Sequence, residues 1–285
     1  MATAARRKRF IPYLLALPAV AWLATFFVSP MGNMFSLSLQ EGSLERGYAL
    51  TWHWQTYTDV LSKYDTQLIR SLGYGLIVTI ATLAISYPMA YWIATRGGKN
   101  KNVFLLLILL PFFTPFIIRT LSWKFILADT GILFGTLKSW GLMPDGFQVL
   151  ATSTAVICGL IYNFLPFMAL PLYVALERLD PALLDAAGDL YSNRTQRFLR
   201  VTLPLSLPGV FAGSLLTFIP AVGDYINADI LGGVNNTMIG NVIQRELLTT
   251  NDFPEGSALS FLLIAGILIG VFFYARAIGT EELSG

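Results

Sequence analysis

Six long apolar runs alternate with polar segments along the chain. Each run has at least the ~17 residues that a helix needs to cross the hydrocarbon core of a bilayer. The pattern therefore predicts an all-α membrane protein with six transmembrane helices, which form a single domain over residues 1–285. We place the six spans at Phe10–Ser29, Leu68–Ala94, Val103–Leu127, Val149–Ala175, Leu205–Val222 and Ser257–Ile278.

The composition supports a membrane protein and excludes several other classes. Charged residues make up 13% of the 285 residues, against about 25% in soluble proteins. That is too few for an ordinary soluble enzyme, a disordered chain or a coiled coil. Cys158 is the only cysteine and His53 the only histidine, so we expect no intrachain disulfide and no metal site. A net charge of +2 also argues against nucleic-acid binding.

Lysine and arginine are distributed unevenly between the loops, which predicts the orientation through the positive-inside rule. The richer side, which holds both termini and the loop over 176–203, is expected to be cytoplasmic. Its twelve cationic residues are Arg6, Arg7, Lys8, Arg9, Arg96, Lys99, Lys101, Arg178, Arg194, Arg197, Arg200 and Arg276. The four on the other side are Arg46, Lys63, Lys138 and Arg245.

The first apolar run has two interpretations. Basic residues from Arg6 to Arg9 precede it, and Ala19-Val20-Ala21 resembles a signal-peptide cleavage site. Because the run continues from Trp22 to Phe27 beyond that site, we interpret it as an uncleaved transmembrane helix.

The segment between the first two spans, Pro30–Gln67, is predicted to be a long loop outside the membrane. Trp52, Trp54 and Tyr57 cluster near its end. They indicate either an interfacial aromatic belt or a docking surface for an external partner.

The cytoplasmic loop carries the signals of two short helices. Asp180-Pro181 is typical of a helix start and predicts a helix over Ala182–Leu190. Ser192-Asn193 is expected to end that helix and cap a second one over Thr195–Val201. The second helix has arginines at 194, 197 and 200, and Pro204 and Pro208 mark the return to the bilayer. Such a segment either lies on anionic lipid headgroups or binds a protein partner.

Asp185-Ala186-Ala187, followed at the matching distance by Val201, Leu203 and Pro204, resembles the EAA loop of binding-protein-dependent ABC importer permeases. The resemblance implies the type I ABC importer permease fold. It also implies that the loop inserts into a cytoplasmic ATPase and transmits ATP-driven closure to the spans. The coupling residues that it implies are Asp185, Ala186, Ala187, Tyr191, Arg194, Arg197, Leu203 and Pro204.

Two positions depart from the family pattern. Asp185 replaces the usual Glu, and Tyr191 stands where Gly is expected. The turn therefore needs another residue that tolerates a positive φ, for which Asn193 is the local candidate.

The chain has no phosphate-binding loop of the form GxxxxGK[ST], since Gly97-Gly98-Lys99-Asn100 lacks both the spacing and the Ser/Thr. ATP hydrolysis is therefore expected from a separate polypeptide that binds ATP and magnesium. We expect no cofactor and no catalytic residue in this chain.

Charged residues in or beside the spans indicate the substrate pathway. Pro111 and Pro115 interrupt the third span, and Arg119, Trp123 and Lys124 follow them. These three either anchor the helix at the outer interface or line the pathway.

A second candidate segment follows the fifth span. Pro220 and Gly223 predict that the helix opens there, which places Asp224 and Tyr225, and then Asp229, near the outer part of the bilayer. A carboxylate beside an aromatic ring suits an alkylammonium substrate. The alternative is an ion pair between Asp224 and Arg119 or Lys124.

Several stretches resemble the spermidine/putrescine branch of these permeases. They are Arg119–Trp123, Phe218–Tyr225, Leu231–Gly233, Met238–Asn241 and Ile243–Gln244. The resemblance implies a polyamine substrate, an external substrate-binding protein, a cytoplasmic ATPase dimer and a second homologous permease that forms a heterodimer with this chain. It also implies a location in the bacterial inner (plasma) membrane.

Two other functions fit the sequence less well. A self-contained secondary transporter would usually show internal repeats or several buried carboxylates, and only Asp224 fits that description. An intramembrane protease would need a second aspartate within the membrane, whereas Asp65 falls in the predicted outer loop.

Overall fold

The computed structural model describes residues 15–144, 146–189 and 193–279, and for 181 and 277–279 it describes only the backbone. Most of these residues are helical. The helices are α1 Leu15–Ser38, α2 Gln55–Arg96, α3 Lys101–Leu109, α4 Phe116–Leu127, α5 Ile132–Ser139, α6 Ser153–Glu177, α7 Pro181–Asp189, α8 Arg194–Arg197, α9 Leu203–Gly223, α10 Ile226–Leu231, α11 Ile239–Leu248 and α12 Phe253–Gly279. A two-stranded antiparallel hairpin, β1 Gln40–Ser43 and β2 Gly47–Leu50, lies between α1 and α2.

Five of the helical segments within the described ranges are long and apolar enough to cross a membrane. A sixth span results when two bent segments, Gly98–Phe113 and Phe116–Ser139, are taken as one. The count agrees with the predicted six-span all-α fold. The side of the membrane on which the termini lie stays a prediction from the positive-inside rule.

The chain divides into two compact units, Met1–Lys63 with Ile243–Leu262 and Tyr64–Val242 with Leu263–Gly285. The first unit contains the hairpin. Tyr48 of β2 packs edge-on against Phe253 with ring centroids 5.6 Å apart, and its hydroxyl donates to the Asn251 carbonyl at 2.6 Å. The hairpin is therefore fixed to the start of α12.

The prediction of a long loop over Pro30–Gln67 is wrong for most of its length. Helix α1 continues to Ser38, and α2 already begins at Gln55. The Ser38 and Tyr57 hydroxyls lie 2.7 Å apart, which joins the two helices. Hydropathy ends the predicted first span at Ser29 because the following residues are less apolar, but the backbone hydrogen bonds continue. The predicted residues 10–14 of that span lie outside the described range.

The third predicted span, Val103–Leu127, is bent rather than straight. Its two segments meet at 92° around Thr114 and Pro115, both of which have extended backbone. Proline removes a backbone donor and disfavours the helical conformation of the residue before it. The interruption that Pro111 and Pro115 predict is therefore confirmed.

In the second unit, α6 and α9 pack at very short range. Gly209 and Gly213 of α9 are four residues apart and face α6, where a Cβ on Gly209 would lie 2.5 Å from the Ala175 Cβ. A Cβ on Gly213 would lie 3.0 Å from the Met168 carbonyl oxygen. This GxxxG spacing lets helix backbones approach closely within a bilayer, where van der Waals contact is a main source of association.

Gly209→Val is expected to destabilise the protein, since its Cβ would also lie 2.8 Å from the Pro171 carbonyl oxygen. Overpacking of this kind costs about 1–3 kcal/mol, and the melting temperature should fall by about 2–10 °C. Fluorescence-detected thermal unfolding in detergent measures the shift. Gly73→Val is the matched control, because a Cβ on Gly73 has no atom within 4 Å. Equal melting temperatures for the two variants would contradict the proposed close contact.

Candidate functional site

The predicted cytoplasmic loop contains the two expected short helices. The Asp180 carboxylate accepts a hydrogen bond from the Ala182 backbone N–H at 2.9 Å, which satisfies a free donor at the start of α7. Helix α7 covers Pro181–Asp189, in agreement with the Asp180-Pro181 start signal.

Asn193 caps α8 through a reciprocal pair of hydrogen bonds. Its side-chain oxygen accepts from the Gln196 backbone N–H at 2.7 Å, and the Gln196 side chain accepts from the Asn193 backbone N–H at 3.3 Å. The predicted cap is therefore confirmed. The prediction of a positive φ at Asn193 is wrong, since its φ is −67°, as the extended backbone of an N-cap requires.

One of the three predicted arginines joins the two short helices. The Arg197 guanidinium is half-buried and donates to the Leu184 carbonyl of α7 at 3.4 Å. Arg194 and Arg200 are exposed. Cationic side chains near the carboxyl end of a helix are favourable, so Arg197 stabilises the arrangement of α7 and α8.

The other predicted coupling residues differ in exposure. Asp185 and Ala186 are exposed on α7, and Ala187 is half-buried. Tyr191 lies outside the described residues. Leu203 is half-buried and Pro204 exposed at the start of α9. The structure thus places an acidic side chain on the free surface of α7, and the role of these residues in coupling stays a prediction.

Helix α8 continues into the fifth span without a break. A π-helical turn, Phe198–Thr202, joins it to α9, and the whole segment Arg194–Gly223 is one 30-residue helix. Pro204 lies inside this continuous helix, directly after the π-helical turn, in which the Leu203 N–H donates to the Phe198 carbonyl and the winding departs from that of an α-helix. The second short helix of the predicted cytoplasmic loop is therefore continuous with a membrane span.

A network of buried polar side chains connects three helices of the second unit. The Asn163 side chain of α6 donates to the Asn227 side-chain oxygen of α10 at 2.9 Å and to the Thr120 hydroxyl of α4 at 3.3 Å. All three side chains are fully buried. Buried polar groups need hydrogen-bond partners, so this network fixes α10 against α4 and α6.

Asp224 lies at the end of this network. The fifth-span helix ends at Gly223, as predicted, and the backbone at Asp224 is extended. One carboxylate oxygen accepts from the Asn227 backbone N–H at 2.7 Å, and the other accepts from the Asn227 side chain at 3.1 Å. The predicted ion pair with Arg119 or Lys124 is not found among the described residues, in which no cationic side chain lies within 4 Å of the Asp224 carboxylate and the Ile226 backbone N–H is a further donor to it.

The backbone around Asp224 is also held by α11. Gly240 approaches so closely that a Cβ there would lie 2.6 Å from the Gly223 carbonyl oxygen. The Asn241 side chain donates to the Tyr225 carbonyl at 2.8 Å. Two neighbouring residues at the start of α11 therefore support the Asp224 turn from about 16 positions further along the chain.

Arg119 is buried and not at an exposed interface. Its guanidinium lies 4.8 Å from the Phe112 ring centroid, and it donates to the Pro111 carbonyl at 3.2 Å. Trp123 is half-buried on the same helix and packs edge-on against Tyr162 of α6 at 5.3 Å. Lys124 is exposed.

The remaining predicted pathway residues are accessible. The Tyr225 side chain is 40% exposed, and Asp229 is exposed on α10. Asp224 and Tyr225 are consecutive residues of one turn, and Asn227 connects Asp224 to Thr120 of α4, but the Asp229 side chain has no hydrogen bond or ion pair in the described part of the chain. The part that these residues take in transport stays a prediction.

Sequence reasoning missed Thr120, Asn163 and Asn227. A signal was present, since Asn163 is an amide in the middle of the apolar run Val149–Ala175. Polar residues within a transmembrane helix are costly and usually face a partner.

The family model for "binding-protein-dependent transport system inner membrane component" matches residues 86–278. The chain belongs to this family. It is therefore a permease, a multi-pass transport subunit of the bacterial inner membrane, as predicted.

Curated relatives match the permease over nearly its whole length. The spermidine/putrescine transport system permease protein PotB of Haemophilus influenzae is 39% identical over 258 residues, which cover 90% of each chain. PotB of Escherichia coli is 36% identical over 271 residues, which cover 93% of this permease and 97% of its relative.

Solved structures of importers share the fold. A chain of a bacterial ABC transporter involved in alginate import has a TM-score of 0.70 at 18% identity, covering 98% of both chains. A chain of the MetNI methionine ABC transporter has a TM-score of 0.56 at 18% identity, covering 75% of this permease and 94% of that chain. The type I importer permease fold that the EAA loop implied is therefore confirmed.

Asn227→Ala is expected to destabilise the permease, because it removes the acceptor of the Asn163 amide and a donor to Asp224. A buried polar group that loses its partner costs about 1–3 kcal/mol, so thermal unfolding in detergent should occur about 2–10 °C lower. Asn102→Ala serves as the control, since Asn102 is exposed in the first turn of α3. A melting temperature like that of the control would show that the network contributes nothing.

Proposed function

We propose that the permease is the membrane subunit of an ATP-driven importer of spermidine and putrescine. The observation that carries this proposal is the 39% identity to a spermidine/putrescine permease over 90% of both chains. The matched region is long enough to include both the predicted cytoplasmic loop and the segment around Asp224.

The chemistry of the Asp224 turn fits such a substrate. Asp224 presents a carboxylate with no cationic partner among the described residues, and the next residue, Tyr225, has an exposed aromatic ring. An ammonium group would supply the missing positive charge, and the ring would add cation–π attraction. Asn227 holds the carboxylate in place through two hydrogen bonds, so the negative charge is already positioned when the cation arrives.

The cytoplasmic loop is suited to couple closure of the ATPase to movement of the membrane spans. The exposed face of α7 with Asp185 is the surface offered to a separate ATPase that binds ATP and magnesium, and α8 is continuous with the fifth span. In this mechanism, ATP binding closes an ATPase dimer, which pushes the loop and opens the pathway to a loaded external binding protein. Hydrolysis then resets the permease. A second homologous permease completes the pathway as a heterodimer.

Asp224→Asn is expected to reduce uptake of radiolabelled putrescine by about tenfold or more, because hydrogen bonds to charged groups contribute about 1.5–3 kcal/mol. Asparagine can accept the same backbone hydrogen bond from Asn227, so the local fold should be retained. The measurement uses cells that lack their own polyamine importers and express the complete transport system. Asp59→Asn, which neutralises an exposed carboxylate of the other unit, should transport like the wild type. Absence of uptake by the wild type itself would contradict a polyamine substrate.

Asp185→Lys is expected to abolish both transport and recovery of the ATPase when the tagged permease is purified in mild detergent. The substitution reverses an exposed charge on α7 and leaves the membrane spans unchanged. Asp185→Glu is the matched control, since it keeps the charge and restores the residue usual in the family. The wild type should co-purify with an ATPase and a second permease. Unchanged uptake by Asp185→Lys would overturn the coupling assignment, and recovery of the wild-type permease alone, even after crosslinking in membranes, would favour a secondary transporter.

A further inference from the structure

The Arg119 guanidinium is surrounded by aromatic rings from three parts of the second unit. Its central carbon lies 4.8 Å from the ring centroid of Phe112, 5.5 Å from that of Phe116 and 5.9 Å from that of Tyr162. Phe112 belongs to the 3₁₀ turn Leu110–Phe113, Phe116 to α4 and Tyr162 to α6. We call these three rings the Arg119 cage. Ring faces at such distances attract cations of any kind.

Arg119 has few polar partners for a buried cation. The side chain is 7% exposed, and its Nε is buried with no hydrogen-bond acceptor. Within the described part of the chain it makes one hydrogen bond, to the Pro111 carbonyl, and no carboxylate lies within 4 Å of it. Arginines that serve only to stabilise a fold within a membrane are normally paired with an acidic group or several carbonyls.

An apolar cavity adjoins the Arg119 cage. It has a volume of about 370 Å³, and its walls include Pro111 and Tyr162 together with Trp92, Phe104 and Ile108. Pro111 and Tyr162 therefore contact both the guanidinium and the cavity. A ring face that attracts a cation, next to an apolar space, has the chemistry of a site for an organic cation with a methylene chain.

We propose that the Arg119 cage is a binding site for the alkylammonium group of the substrate, and that the Arg119 guanidinium occupies it as a tethered competitor until the substrate displaces it. This inference rests on the proposed function. Because the guanidinium is bound mainly by the rings, an ammonium group can replace it without leaving a carboxylate unpaired. Water in the opened pathway then solvates the displaced guanidinium.

The Arg119 cage is connected to the Asp224 turn. Thr120, the next residue on α4, lies within hydrogen-bond distance of the Asn227 side-chain oxygen at 3.4 Å, and Asn227 holds the Asp224 carboxylate. A polyamine carries at least two ammonium groups, and the permease offers two cation-attracting positions, the Arg119 cage and the Asp224 turn, which Thr120 and Asn227 link. A guanidinium that competes for the Arg119 cage would weaken the binding of cations that contact only the cage.

The test is calorimetric titration of the purified permease complex in lipid nanodiscs, without the external binding protein, using putrescine and butylammonium as probes. If the guanidinium occupies the cage about 90% of the time, Arg119→Gln should bind both probes about tenfold more tightly than the wild type. Phe112→Leu added to Arg119→Gln should remove the gain. Lys124→Gln is the matched control, because it removes an exposed positive charge from the same helix and should leave both affinities unchanged.

The outcomes separate this inference from the proposed function. Tighter binding of both probes supports the Arg119 cage as a substrate site. Tighter binding of butylammonium alone supports the cage and contradicts a polyamine substrate. Equal or weaker binding of both probes by Arg119→Gln overturns the inference, even if the wild type transports putrescine in cells. Arg119→Met provides a second variant, and failure of both variants to assemble would identify Arg119 as a structural anchor and likewise overturn it.

Discussion

The hydrogen bond between Asn163 and Asn227 fixes the part of the permease on which the proposed substrate chemistry depends. A bilayer offers no water to satisfy an amide, so each buried amide must find a protein partner. Asn163 does so by donating to Asn227 of α10 and to Thr120 of α4, and Asn227 in turn donates to Asp224. This hydrogen bond therefore helps to position three features. They are the short helix α10 after the fifth span, the bent third span that contains Thr120, and the Asp224 carboxylate.

The close packing of α6 and α9 supplies the scaffold on which this network is built. Gly209 and Gly213 remove side-chain bulk along one face of α9, so the two backbones approach until their atoms are in contact. Such an interface has little freedom to slide, because any shift brings backbone atoms together.

Features that depend on neighbouring residues were predictable from the sequence, whereas features that depend on distant residues were not. The Asp180 and Asn193 caps involve residues two or three positions apart, and the proline interruption of the third span is likewise local. The pairing of Asn163 with Asn227 joins residues 64 positions apart, and no periodicity in the chain indicates it. Arg119 was recognised as a charge within a span, but its ring partner Tyr162 belongs to another helix. Hydropathy failed at the end of α1, because a helix continues as long as its backbone is paired, not as long as its side chains are apolar.

The uninterrupted helix from Arg194 to Gly223 crosses the membrane and also connects the predicted cytoplasmic loop mechanically to the Asp224 turn. Thirty residues of helix extend over about 45 Å. Such a rod can carry a displacement from its predicted cytoplasmic end to the far end, where Asp224 begins the next turn, and Pro208 and Pro220 are the interior positions at which it lacks a backbone donor. The π-turn at Phe198–Thr202 is the only section of this rod with a different winding. Twisting of the helix would therefore concentrate in this π-turn. The stiffness of the turn would determine how much of a movement at the loop reaches the Asp224 carboxylate.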